Sequence, residues 1–243
     1  MKIILTTSSL TYVPNNYDEV LEFLTKEYRS HIAGVVIVKT DSIKNRLKPL
    51  YLWFAGCPKI SGTMIKNILT LKNKRNLIET QDISYLVTKS INSEDSVSWL
   101  DEKQPDLILN LRTRCLFKES VLSIPAYGCV NLHHGLLPYQ RGLFCDLHAL
   151  YNAETTGITL HKMDKKIDSG GIISKKQGPD TNDYKEYLEN LTKIEILLLK
   201  DFMDFFIFNQ RLPKLQVNTQ CNTKYTSTPT FSELIKIRSR IKL

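Results

Sequence analysis

Asn131 and His133 stand two residues apart in "VNLHHGLLPYQRG" (130–142), where a short apolar run gives way to Gly, Pro and Gly. In an extended backbone that step brings both side chains to one face and turns His134 to the other. An amide N–H and an imidazole N–H aimed at one point suit an oxygen that gains negative charge, as a carbonyl does on becoming tetrahedral. A carboxylate in the same pocket would favour the charged imidazole and could also accept a proton. Asp168 provides one in "IDSGG", whose glycines allow close approach of backbone to a ligand. Arg141, Asp146, His148, His161 and Asp164 complete the polar set near this edge. No activated Ser or Cys elbow accompanies them, so direct attack by a substrate amine is expected over a covalent intermediate. No H-x-H or H-x-x-x-H pair occurs, and a metal is not expected. Taken alone, Asn-x-His serves structure more often than chemistry. His161 could orient the site or simply pack, and His148 reads as structural.

The elements that must hold these residues follow from the hydrophobic pattern. "KIILTT" (2–7) and "GVVIVK" (34–39) are β-branched runs separated by "YDEVLEFLTKEYRS", whose apolar residues recur at helical spacing. The alternation continues through a strand at "ISYLV" (83–87), a helix in "NSEDSVSWLDEK" and a strand at "PDLILNL" (105–111), apolar enough to be buried on both faces. A short helix "FKESVLS" then leads to a strand at "CVNL" (129–132). Beyond it a helix is expected over 144–153, strands over 157–163 and 170–177 with a loop between them, and a long packing helix over 184–210. The tail reads as turns and then a basic amphipathic helix. This is an α/β chain with a Rossmann-like open, mostly parallel sheet flanked by helices. It divides into a main domain, 1–210, with a basic insert at about 40–75, and a short C-terminal extension, 211–243. Ligands of such sheets sit beyond the carboxyl ends of the strands, where Asn131 and His133 fall.

The motif, followed by "TGITLHKMDKKIDSGGII", resembles the 10-formyltetrahydrofolate-dependent formyltransferase family. That family's pattern is N-x-H-x-S-L-L-P-x-x-x-G, then a T-G-x-T strand and a D-x-G turn. Upstream, "KQPDLILNLRTRCLFKESVLSIPAYGCVNLH" is similar to the stretch leading into it, so the likeness spans about residues 103 to 177. The resemblance implies that Asn131, His133 and Asp168 are catalytic and that the formyl donor is 10-formyltetrahydrofolate. It further implies donor contacts at Leu111, Arg112, Thr113 and Arg114, at Gly135, Leu136, Leu137 and Pro138, and at Ile167 and Gly170. His134 and Arg141 are expected to meet the amine substrate. The sequence departs from the family in having His134-Gly135 where Pro-Ser is usual, which bears on the shape of the folate pocket.

The chain has 243 residues, 42% hydrophobic and 24% charged, with a formal charge of +8. Residues 39–75 hold nine basic side chains (Lys39, Lys44, Arg46, Lys48, Lys59, Lys66, Lys72, Lys74, Arg75) against Asp41 alone, so this segment matches the whole excess. It is expected to be a solvated helical face, or a surface for an anionic substrate or a membrane surface; nucleic acid is disfavoured for want of a recognition motif. The five cysteines (Cys57, Cys115, Cys129, Cys145, Cys221) are scattered and unpaired in pattern, which fits a reducing cytoplasm. The start reads as a strand rather than a secretory leader, and no run is long enough for a membrane span.

Within the family, the purine-synthesis branch has a glycine-rich loop after the first strand; here "TTSSLTYVPNN" has no Gly. The initiator-tRNA branch carries a C-terminal barrel, for which residues 211–243 are too few. The likeness is therefore greatest to the compact sugar N-formyltransferases, with a nucleotide-linked amino sugar as the expected acceptor. Glycinamide ribotide or a methionyl-tRNA-like acceptor, and a non-catalytic folate- or sugar-binding module, remain the alternatives.

Overall fold

The structure, a computed structural model, describes residues 1–219 and 225–243. Seven strands form one sheet. They are β1 (Ile3–Ser8), β2 (Ile32–Val38), β3 (Tyr85–Thr88), β4 (Leu107–Leu111), β5 (Cys129–His133), β6 (Gly157–Lys162) and β7 (Ile172–Gln177). Their order is β3-β2-β1-β4-β5-β6-β7; the first five are parallel, and β6 and β7 close the edge antiparallel. Every residue of β1 and β4 is buried, the polar Thr6, Thr7, Ser8 and Asn110 included, as strands covered on both faces require.

Helices cover both faces. They are α1 (Asp18–Glu27), α2 (Ile43–Phe54), α3 (Pro58–Leu69), α4 (Asn73–Thr80), α5 (Glu94–Lys103), α6 (Glu119–Leu122), α7 (Cys145–Tyr151), α8 (Tyr184–Asn209) and α9 (Phe231–Ile237). Alternation along β1 divides the core: Ile3 and Leu5 face the side of α1 and α8, and Ile4 faces the side of α5 and α6. The long helix α8 starts from Asp183, whose side chain accepts the Glu186 N–H, and buries Tyr184, Leu191, Leu198, Phe202 and Phe206. No helix among the described residues is long and apolar enough to cross a membrane.

The expected elements are present, with β3 starting at Tyr85 and leaving Ile83 and Ser84 outside the strand. The tail returns along the body. Gln216 pairs with Ile172, Thr226 with Gly142 and Lys242 with Asp183. α9 is closed by a reciprocal Thr230–Glu233 cap, and its Ile237 joins the main core. Cys57, Cys115, Cys129 and Cys145 are free thiols; Cys221 lies outside the described residues.

The basic segment 39–75 is not one surface. It folds into α2, α3 and the start of α4, and Lys74 is buried. Its ammonium donates to the carbonyls of Ser8 at 3.0 Å and Asn16 at 2.8 Å and faces Asp18 at 3.6 Å. Burial, opposed by Asp18, pulls its pKa down to about 8. Lys74 therefore staples the loop after β1 to α4, and Lys59 is engaged by Asp183. Replacing Lys74 by Met leaves two buried carbonyls and a carboxylate unpartnered, and should cost about 3 kcal/mol in urea denaturation. Lys72→Met, at an exposed position, should shift stability by no more than about 0.5 kcal/mol.

Candidate functional site

Strand register brings four polar residues into one row. Thr6 of β1 lies opposite Asn110 of β4, Asn110 opposite Asn131 of β5, and Asn131 opposite His161 of β6. Their side chains bond in the same order. Thr6 Oγ1 donates to Asn110 Oδ1 at 2.9 Å, Asn110 Nδ2 donates to Asn131 Oδ1 at 2.7 Å, and Asn131 Nδ2 lies 3.1 Å from His161 Nε2.

The polarity of this row is determined at both ends. The Thr113 N–H also donates to Asn110 Oδ1, at 3.1 Å, so that amide must turn its nitrogen towards Asn131. At the other end His161 Nδ1 lies 2.9 Å from the Lys162 carbonyl, which can only accept. Nδ1 therefore carries the proton, and the neutral ring leaves Nε2 bare to accept from Asn131. Burial, then repulsion from His133, holds His161 far below its ordinary range, at about 4 and against the pull of Asp168. One proton of the Asn131 amide is thus committed to His161, and the other is free for the cavity.

His133, two residues along β5, has Nε2 at 2.7 Å from the Gln140 carbonyl. That carbonyl accepts, so Nδ1 is the nitrogen left for the pocket, 3.6 Å from Asp168 Oδ1. Gly135 makes room for the ring: a Cβ there would lie 2.6 Å from His133 Nε2. Asp168 sits in the loop between β6 and β7 with φ of 49°, and its Oδ2 accepts from the Gly142 N–H at 2.9 Å. Asn218, from the returning tail, donates to the carbonyls of Asp168 at 3.0 Å and Gly170 at 2.8 Å. Tyr225 donates to the Ile167 carbonyl at 3.2 Å. The acid's loop is therefore held by the tail and by the turn at Gly142.

All three residues line one cavity of about 560 Å³ at the carboxyl ends of β4 and β5. Arg112, Thr113, Arg114, His134 and Ile167 also line it, with Tyr12, Leu116, Phe117, Phe144 and Met163 adding apolar wall. Leu111, Gly135, Leu136, Leu137, Pro138, Arg141 and Gly170 are not among its lining residues. Leu137 is buried, with its N–H bonded to Thr159 Oγ1, and the buried guanidinium of Arg141 donates to Asn218 Oδ1 at 3.1 Å. Among the described residues, no group of three or more His, Cys, Asp or Glu side chains is placed to hold a metal.

His134 turns to the opposite face, as the two-residue alternation requires, and enters a buried charge cluster. Its ring meets Arg112, Glu195 of α8 and Asp146 of α7, the last at 3.4 Å. Burial and Arg112 press its pKa down, but Glu195 and Asp146 outweigh them and the net shift is upward. Arg112 also donates to Tyr12, and Tyr184 donates to Asp146. Asn110, Tyr12, Glu195, Asn218 and Tyr225 were not singled out from sequence. A polar Asn inside the buried run "LILNL" was the available signal for the first.

Comparisons with known sequences agree on a family, and comparison with solved structures agrees on the fold. A family model described as "Formyl transferase" matches residues 65–194. The methionyl-tRNA formyltransferase of Thermotoga maritima is 30% identical over 212 residues, 87% of this chain and 60% of that protein. The bifunctional polymyxin resistance protein ArnA of Wigglesworthia glossinidia brevipalpis is 36% identical over 132 residues, 54% of this chain and 19% of that one. The chain thus spans 60% or less of the length of these two relatives. A sugar N-formyltransferase from Shewanella shares the fold with a TM-score of 0.62 at 18% identity, over 98% of this chain and 87% of that one. A phosphoribosylglycinamide formyltransferase from Anaplasma phagocytophilum does so with a TM-score of 0.63 at 16% identity, over 91% and 96%.

The depressed His161 has a consequence for stability. The unfolded chain protonates this ring as pH falls below about 6.5, whereas the folded chain resists until about 4. Its contribution is complete above that window and is lost as pH falls through it. Denaturation measured between pH 7 and 4 should therefore show His161→Gln losing less stability than the native chain.

Proposed function

Because the chain belongs to the formyl transferase family, we propose that it moves the formyl group of 10-formyltetrahydrofolate to the primary amine of a nucleotide-linked amino sugar. The observation that carries this reading is the spare amide N–H of Asn131 and the Nδ1 of His133, which becomes a second donor once the ring is protonated, facing one cavity with Asp168 beside them.

The donor fits the cavity by size and lining. A volume of about 560 Å³ lies within the range of small-molecule sites, and its apolar wall is joined by Thr113 and Arg114. The folate supplies an activated formyl group on nitrogen. Asn131 and a doubly protonated His133 donate to the carbonyl oxygen as the amine adds and the carbon becomes tetrahedral. Both ring nitrogens of that cation have acceptors, since Nε2 keeps the Gln140 carbonyl and Nδ1 faces Asp168 and the substrate. Asp168 takes the proton that the amine sheds, through water. Cleavage of the bond to the folate nitrogen, with a proton delivered there, then releases tetrahydrofolate.

The acceptor reading is supported by structural neighbours that pair with nearly the whole chain. Besides the Shewanella enzyme, a 4-N formyltransferase from Francisella tularensis matches over 97% of this chain, and WlaRD, a sugar 3N-formyl transferase solved with dTDP and 5-N-formyl-THF, over 100%. A second reading, formylation of methionyl-tRNA, is favoured by the 30% identity to the Thermotoga maritima enzyme.

Incubation with 10-formyltetrahydrofolate and a panel of amino-sugar nucleotides, glycinamide ribotide and charged initiator tRNA, read by mass spectrometry, separates these. A formyl adduct on a sugar nucleotide alone is expected. With that acceptor, Asn131→Ala and His133→Ala should each lower kcat by about 10²–10³-fold, with circular dichroism and the unfolding midpoint little changed. Near-native turnover by His133→Ala would overturn the mechanism.

A further inference from the structure

Helix α2 presents its apolar face to solvent. At 100° per residue, Ile43, Leu47, Leu50 and Phe54 fall in a single stripe, and they are 77%, 55%, 59% and 78% exposed. Trp53 flanks the stripe at 62% exposure, and Tyr51 lies along its other edge. The opposite side of the helix, Pro49 and Leu52, is what packs on the protein. A surface helix of a globular protein is ordinarily turned the other way.

The charges frame this stripe. Lys44 lies on one side of it and Arg46 on the other, Lys48 is further round, and α2 contains no acidic residue. Only Asp41, just before the helix, offsets them, through a 3.2 Å pair with Arg46. An apolar band carrying Trp and Phe between basic flanks is the pattern of a helix lying in a membrane interface, where Lys and Arg meet anionic headgroups. A second copy packed on the same stripe would bring Lys44, Arg46 and Lys48 against their own counterparts, so charge complementarity favours the lipid. The helix also adjoins the site. Lys48 is close enough to Arg114 of the cavity wall for that charge, after burial, to lower its pKa, and Tyr51 packs edge-on against Phe231 at 5.6 Å.

We propose that α2 docks the protein on an anionic lipid surface, with Ile43, Leu47, Leu50 and Phe54 entering the acyl boundary and Lys44 and Arg46 meeting headgroup phosphates. Docking this way sets the Arg114 side of the cavity next to the bilayer. It goes beyond the formyl-transfer reading and does not depend on which acceptor is used.

The test is sedimentation with phosphatidylcholine vesicles, with and without phosphatidylglycerol, at low and high salt. Binding is expected only to the anionic vesicles, weaker in high salt, with a blue shift of Trp53 emission read in a Trp99→Phe background. Leu50→Glu with Phe54→Glu should weaken binding by at least about a hundredfold, and Lys44→Gln by about fivefold. Formyl transfer to a soluble acceptor should be unchanged in these variants, and circular dichroism should report an intact fold. Absence of binding to anionic vesicles at low salt, or binding indifferent to the Glu substitutions, overturns the proposal. So does a lipid-free dimer that the Glu substitutions convert to monomer, which would assign the stripe to a second copy.

Discussion

The site depends on a single constraint: buried amides must be fully partnered, and in a row of them each fixes the next. Asn110 and Asn131 lie side by side on neighbouring strands, where an unmatched amide would cost several kcal/mol. The Thr113 N–H and the Lys162 carbonyl anchor the two ends with groups whose polarity cannot change. Everything between is forced, including the neutral state of His161 and the direction in which Asn131 points its spare N–H. A donor aimed in this way needs no reorganisation when negative charge develops beside it. Sheet register, rather than any local motif, creates the row, since a slip of one residue would send each member to the opposite face.

A second layer lies beneath. Arg112 and His134 face Asp146 and Glu195 in a space closed by Tyr12, Tyr17 and Tyr184. Two groups of each sign offset one another there, and Asp146 is held below its usual range despite its burial by His134 and Arg112. The cluster ties the end of β4 to α7 and α8. At position 134, where the family pattern that the sequence resembles has Pro, the imidazole meets Asp146 and Glu195. An imidazole at this position completes a charge set that a Pro could not join.

The order of elements was legible because strands buried on both faces are rich in apolar and β-branched residues and helices need a 3.6-residue repeat, and both patterns are strong here. The three residues proposed as catalytic were legible from spacing and from family resemblance together. Their supports were not. Asn110 acquires its role from a partner 21 residues away, and Asn218 acts on a loop 50 residues earlier. Lys74 looked like its neighbours Lys72 and Arg75. Its position one turn before the buried Ile78 was the one local hint that it faced inward. Leu136, Leu137 and Pro138 match the family pattern, yet they are not among the residues that line the cavity, a distinction of facing that composition does not encode.

The returning tail has a consequence for the birth of the protein. Asp168 hangs from Gly142 in front of it in sequence, and its loop is tethered by Asn218 and Tyr225 behind it. On the ribosome, the parallel strands β1 to β5 can pair while later residues are still in the exit tunnel. The acid cannot reach its final seat until the strap carrying Asn218 and Tyr225 has emerged and folded back. The strands β1 to β5 are therefore made well before the residues that seat Asp168.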